Sequence, residues 1–210
     1  MGVSMLKIWG RSNLNNVRKV LWCAEELGLA YERIDAGGSF GRVNEPGFLA
    51  LNPNARIPVL EDDEQVLWES NAIVRYLAAR YSPGELWPNN PGERALADRW
   101  MDWASSTFVP VFTPAFIGLV RTPASQRDEA LIGIALRQCE TALLLLDAEL
   151  ARRPFLSGEA LGIGDIPMGT FIYAWFGLPI DRPELPNVER WYQALRSRPA
   201  YQRAVMTALT

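Results

Sequence analysis

The chain has 210 residues, 49% of them apolar, and its 21 basic and 24 acidic residues leave a formal net charge of −3. So apolar a chain is not disordered, and without a basic stripe to neutralise phosphates nucleic acid is not its main partner. Histidine is absent, which excludes a Ser/His/Asp triad, a Cys/His dyad and histidine-ligated zinc or haem.

Met1–Lys7 shows no basic region followed by a long apolar core, so no secretory signal is expected and a cytoplasmic setting fits. Leu6–Trp9 has the length of a strand. Val17, Val20, Leu21, Ala24 and Leu27 then recur at helical spacing, and Gly28 stands where a helix C-cap glycine belongs. Tyr31–Asp35 alternates as a second strand, so the opening is a βαβ unit with parallel strands. Ile57–Leu60 and Val66–Trp68 bracket a polar segment and read as a hairpin, with a helix starting near Ser70 as its N-cap. The N-terminal order is therefore β-α-β, a long connection, then β-β-α.

Ser82–Gly92 is rich in proline, glycine and asparagine and marks a boundary. Beyond it strand signals stop. A helix is expected over Pro91–Phe108, a long one from Thr122-Pro123 to about Ala151, and shorter ones near Gly164–Phe176, Pro186–Arg196 and Pro199–Ala208. The apolar run Phe108–Val120, interrupted by Pro110 and Pro114, is too short to span a bilayer. Cys23 and Cys139 form no CxxC or metal-spaced pair and read as buried core residues.

Three local features converge on one ligand. In Asn52–Leu60 (NPNARIPVL) a proline enters a strand; a cis Ile57–Pro58 bond would turn the Ile57 N–H and C=O toward an extended peptide, while an ordinary edge-strand proline is the plainer reading. Glu69-Ser70-Asn71 stands between a strand and a helix, where backbone N–H groups favour an anion and Glu69 favours an ammonium, the two ends of an α-amino acid; simple capping is the alternative. Gly10–Asn16 (GRSNLNN) links the first strand to the first helix, at the end of the sheet where α/β folds bind ligands. Ser12, Asn13 and Asn16 offer short polar side chains there, and Arg18 and Lys19 add positive field, while ordinary turn and cap chemistry is the plainer reading.

Taken together, NPNARIPVL followed by WESNAIVRYL resembles the glutathione-binding half of the glutathione S-transferase family at its usual spacing. Leu86-Trp87-Pro88 and Arg99–Trp103 (RWMDW) are similar to bacterial members, and Leu161–Ile166 (LGIGDI) is similar to the family's late capping box. The resemblance implies a thioredoxin-like α/β domain over 1–83, a linker over 84–90 and an all-helical domain over 91–210. It implies that Ile57, beside Pro58, bonds the cysteinyl backbone of glutathione, that Glu69 and Ser70 hold the γ-glutamyl end, and that Arg56 meets the glycine carboxylate. A cytoplasmic homodimer acting in detoxification is implied too, using glutathione as co-substrate with no metal, and conjugating it to small apolar electrophiles; Trp103, Phe108, Phe112 and Phe116 are candidates to line the electrophile, with core packing the equal alternative. Neither nucleic acid nor membrane is an expected partner.

Two departures stand out. Gly162 replaces the Ser or Thr that usually opens the capping box, and Leu14 stands near the position where relatives carry a serine or cysteine. The loop has no tyrosine. Ser12 and Asn13 remain as candidate catalytic donors to the thiolate, on equal terms. The rival readings are a non-catalytic glutathione or ligand binder, kept open by Leu14, and a glutathione-dependent reductase, lyase or dehalogenase, disfavoured by the absence of a cysteine in this loop.

Overall fold

The structure is a computed structural model that describes residues 5–210; the reading of the first residues as free of a signal lies partly outside them. The chain divides into two compact units. One takes the chain up to Trp87 together with Pro199–Thr207, the other Pro88–Arg198 together with Ala208–Thr210.

In the first unit β1 (Leu6–Trp9), α1 (Asn15–Glu26), β2 (Tyr31–Ile34), α2 (Pro46–Leu51), β3 (Val59–Asp62), β4 (Gln65–Trp68) and α3 (Ser70–Tyr81) succeed one another. The strands form one sheet in the order β2-β1-β3-β4. β1 and β2 are parallel, pairing Leu6 with Tyr31, and β3 runs antiparallel to both β1 and β4. This is the expected thioredoxin-like arrangement. Its core joins Leu6, Ile8 and Leu60 of the sheet to Val17, Val20 and Leu21 of α1 and Ile73 and Leu77 of α3, all buried. Gly28, at φ 63, ends α1 as expected: its N–H reaches the Glu25 carbonyl and that of Leu29 the Ala24 carbonyl, the paired bonds of a Schellman cap.

The hairpin is longer and its turn tighter than the sequence suggests, because Asp62 pairs with Gln65 in the ladder. Asp62 can join a strand because its buried carboxylate accepts hydrogen bonds from Tyr76 and Tyr81, both at 2.8 Å. At the start of α3 the expectation needs correcting: Glu69, not Ser70, is the cap residue, and Ser70 is the first helical residue.

The second unit is helical. α4 (Pro91–Trp103) is capped by Asn90, whose side chain accepts from the Gly92 and Glu93 N–H groups. Pro110 and Pro114 do not end the helical path: α5 (Val109–Phe116) continues from α4, and the wider π-type turns 104–108 and 117–121 on either side of it complete one helical run from Pro91 to Arg121. The prolines lack the N–H that a regular ladder needs, and the widened turns absorb the mismatch. By length and composition this run is long and apolar enough to cross a membrane, yet Phe108, Phe112, Ala115 and Phe116 are buried within the unit. α6 (Glu129–Leu150) begins later than Thr122-Pro123 because Asp128 is its cap and accepts from the Leu131 N–H at 2.9 Å.

α7 (Asp165–Phe176) starts at the buried Asp165. Its carboxylate accepts from the N–H groups of Leu156, Ser157 and Gly162 and from Trp191 Nε1, between 2.8 and 3.2 Å. The hydroxyl missing at Gly162 is supplied by Ser157, whose Oγ accepts from the Gly164 N–H at 3.0 Å. Glycine is required at 164: a Cβ there would lie 2.6 Å from the Ala97 carbonyl oxygen. α8 (Pro186–Arg196) completes the unit.

The last helix, α9 (Pro199–Ala204), returns to the first unit and packs on α1, where Trp22 and Tyr201 meet edge to face with centroids 4.8 Å apart. The buried Arg18 of α1 then fastens the tail, donating to the Thr207 carbonyl at 3.0 Å and to Thr207 Oγ1 at 2.8 Å. A division in strict chain order misses this return.

Candidate functional site

The first loop leaves β1 at Gly10, whose φ of 148 suits glycine and whose missing side chain makes room: a Cβ would lie 2.6 Å from a Val17 methyl and 3.4 Å from Ile57 Cβ. Ile57 therefore packs directly against the start of the loop that carries Ser12 and Asn13. Gly37 clears the other side of the same residue, since a Cβ there would meet Ile57 Cδ1 at 2.7 Å.

Ile57 is delivered by a turn that Asn52 builds. Its buried side chain donates to the Arg56 carbonyl at 2.7 Å and accepts from the Asn54 N–H at 3.0 Å, while Ala55 takes φ 54. The Ile57–Pro58 bond is cis. Among the described residues the Ile57 N–H and C=O take part in no hydrogen bond, for the ladder begins only at Val59. Arg56 is exposed, with its guanidinium unpaired among the described residues.

Because Val59 pairs with Trp68, the segments Ile57-Pro58 and Glu69-Ser70 lie side by side at one end of the β3–β4 hairpin. Glu69 is exposed and holds φ 71, an unusual conformation for a side chain with a Cβ and one that concentrates at functional positions. Ser70 is 6% exposed. Its Oγ accepts from Lys19 Nζ at 3.4 Å, and the same ammonium reaches Asn71 Oδ1 at 3.3 Å.

Lys19 is the residue whose role the sequence did not disclose. It is 2% exposed, and burial lowers its ammonium to about 7, with the negative charge of Glu69 acting against that fall. A lysine in an amphipathic helix ordinarily faces water, and only its partners 51 and 52 residues away show that this one does not.

Leu14 occupies the cap position of α1 and offers no side-chain bond to the helix. Ser12 is half-buried; its carbonyl accepts a long contact from Thr207 Oγ1 at 3.5 Å, and its own hydroxyl has no partner among the described residues. Asn13 is partly committed, accepting from Arg11 Nη1 at 3.2 Å.

Of the expected electrophile-facing aromatics, Phe108, Phe112 and Phe116 belong to the core of the helical unit: Phe108 stacks on Phe112, Phe112 meets Phe116 at a tilt, and Phe171 meets Phe108 and Phe112 edge to face. Trp103 differs, lining a cavity of about 320 Å³ with Arg99, Trp100, Leu145 and Glu149. Cys23 and Cys139 are buried free thiols, each pushed up to about 12 by burial. Among the described residues no group of three acidic or cysteine side chains could hold a metal.

Two family models match: the glutathione S-transferase N-terminal domain over residues 4–79 and its C-terminal domain over residues 96–199. The chain is 48% identical to glutathione S-transferase GstB of Escherichia coli, the match covering 96% of this chain and 98% of that one. It is 32% identical to glutathione S-transferase 3 of Zea mays over 95% of this chain and 93% of the relative. Among solved structures it is similar to the theta class enzyme of the citrus canker pathogen Xanthomonas axonopodis pv. citri with glutathione bound, at 60% identity and a TM-score of 0.95, covering 98% and 99% of the two chains.

Proposed function

Since the chain belongs to the glutathione S-transferase family, we propose that it is a glutathione transferase joining the thiolate of glutathione to small apolar electrophiles. The observation that carries this reading is the hairpin end, where the unpaired backbone of Ile57 adjoins Ser70. An extended tripeptide laid there would pair its cysteinyl N–H and C=O with Ile57. Its γ-glutamyl carboxylate would take the Ser70 hydroxyl and the first N–H groups of α3, and its ammonium Glu69. Arg56 would meet the glycine carboxylate.

Ser12 or Asn13 would then donate to the sulfur, favouring the thiolate by hydrogen bonding to the charged form. The thiolate attacks the electrophilic carbon, the S–C bond forms and the leaving group departs with its electron pair; the thiol proton has already passed to solvent. A cytoplasmic homodimer active in detoxification fits this reading, and the exposed Val66 and Trp68 on the edge strand β4 support a protein partner for that edge.

The alternative of a non-catalytic binder is favoured by one observation, that Leu14 brings no donor to the helix start. Steady-state turnover of glutathione with a chlorodinitrobenzene separates the two. Conjugation well above the solution rate, reduced in the Ser12→Ala or Asn13→Ala protein, supports the transferase; binding without turnover overturns it.

A further inference from the structure

Lys19 is buried between α1 and α3 with its Nζ aimed at Ser70 and Asn71. Taking an ammonium out of water is costly unless polar or charged groups answer for it. Glu69 faces it from the start of α3, while Arg18, the preceding residue on α1, is engaged with Asn15 and Thr207.

The hydrogen-bond polarity is informative. An ammonium has three donors and no acceptor, so at Ser70 it must donate to the Oγ lone pair. The Ser70 hydroxyl proton is thereby left for another acceptor. A neutral amine in the same place could accept that proton and withdraw it. We infer that Lys19 is a positioning residue for the γ-glutamyl carboxylate, its buried ammonium turning the Ser70 hydroxyl outward as a donor and supplying the counter-charge from beneath. This rests on the proposed placement of the γ-glutamyl end at Ser70.

A consequence is that ligand binding takes up a proton. With Lys19 near 7 in the free protein, it is mostly charged at pH 6 and mostly neutral at pH 8. A bound carboxylate raises its pKa, so uptake is near zero at pH 6 and approaches one proton per site at pH 8. Affinity then falls as pH rises above 7, by at most about tenfold per pH unit.

The test is calorimetry with S-methylglutathione, which has no thiol proton to release. Titrations at pH 6, 7 and 8, each in two buffers of different ionisation enthalpy, give the protons exchanged. The unmodified protein should show uptake rising across this range. Lys19→Met, an apolar near-isostere expected to fold because it removes a buried charge, should bind about tenfold or more weakly at pH 7 with neither uptake nor pH dependence.

Binding by the unmodified protein without proton uptake at pH 8 overturns the inference, and so does uptake that persists in Lys19→Met. Should Lys19→Met fail to fold, the uptake measured on the unmodified protein decides by itself. The parallel Ser70→Ala titration separates the placement of the ligand from the role of Lys19. Unchanged S-methylglutathione affinity there removes the placement itself, whereas weakened affinity without proton uptake in the unmodified protein removes only the role of Lys19.

Discussion

Truncating Ser12 asks whether a side chain of the first loop activates the thiol. Its hydroxyl has no partner among the described residues, so Ser12→Ala breaks no existing side-chain bond and any effect belongs to the ligand. Asn13→Ala is less clean, because it releases Arg11 from its 3.2 Å bond. An ordinary thiol titrates near ~8.5, and each unit of depression corresponds to about 1.4 kcal/mol. One hydrogen bond to a charged acceptor contributes roughly 1.5–3 kcal/mol. The start of α1 adds roughly 0.3–1 kcal/mol and survives the mutation. Losing the true donor should therefore raise the pKa of the bound thiol by about one to two units and leave glutathione affinity almost unchanged. Ultraviolet titration of enzyme-bound thiolate in Ser12→Ala, Asn13→Ala and the double mutant measures this. If all three titrate like the unmodified protein, neither side chain is the donor, and the task falls to backbone N–H groups or the protein only binds.

Ser70→Ala should weaken glutathione binding by about 1–2 kcal/mol through loss of a charge-assisted contact, read by calorimetry on folded protein; Ser70 is not the cap residue of α3, but its Oγ is an acceptor for the buried Lys19 ammonium, so about 1–3 kcal/mol of stability should be lost with it. Asp165→Asn keeps one carboxamide oxygen and turns an NH2 toward two of the four donors that now meet the carboxylate. It should lower stability by about 2–5 kcal/mol, and an unchanged urea midpoint would contradict the role given to that network. Cys23 and Cys139 should resist thiol reagents at pH 8 until the protein unfolds. Their thiols are raised to about 12, so burying them costs nothing below the ordinary ~8.5 and disfavours folding only as pH climbs toward 12.

Local pattern was enough for α1 and the four strands of the first unit, and Gly28 at φ 63 marks the end of α1. It failed where the deciding partner is distant. The six-residue α2 is too short to show a helical period. Thr122-Pro123 looks like a helix start, but Asp128 with Glu129 behind it was an equally readable cap and is the one used. The return of α9 depends on Trp22 meeting Tyr201 and on Arg18 meeting Thr207, 189 residues away. At the candidate site the residue types of Ile57, Pro58, Glu69 and Ser70 were legible from their motif. The positive φ of Glu69 and the burial of Lys19 were not, because each is imposed by tertiary contacts that no local pattern encodes.

Those two hidden features point to the same conclusion from the side of stability. A non-glycine residue held at φ 71 costs of order 1–3 kcal/mol. Taking an ammonium out of water is costly too, and that of Lys19 lies buried 3.4 Å from Ser70 Oγ and 3.3 Å from Asn71 Oδ1. Neither helps the core, where Ile73, Val74 and Leu77 of α3 already pack without exposure. Both adjoin Ser70, Glu69 as its chain neighbour and Lys19 through a 3.4 Å hydrogen bond from α1, at the end of the hairpin where Ile57 keeps its backbone unpaired. A fold that needed only stability would relieve such costs with glycine at 69 and an apolar residue at 19. Their concentration at one hairpin end is what a site preorganised for a zwitterionic ligand requires, with its charges and donors set before the ligand arrives.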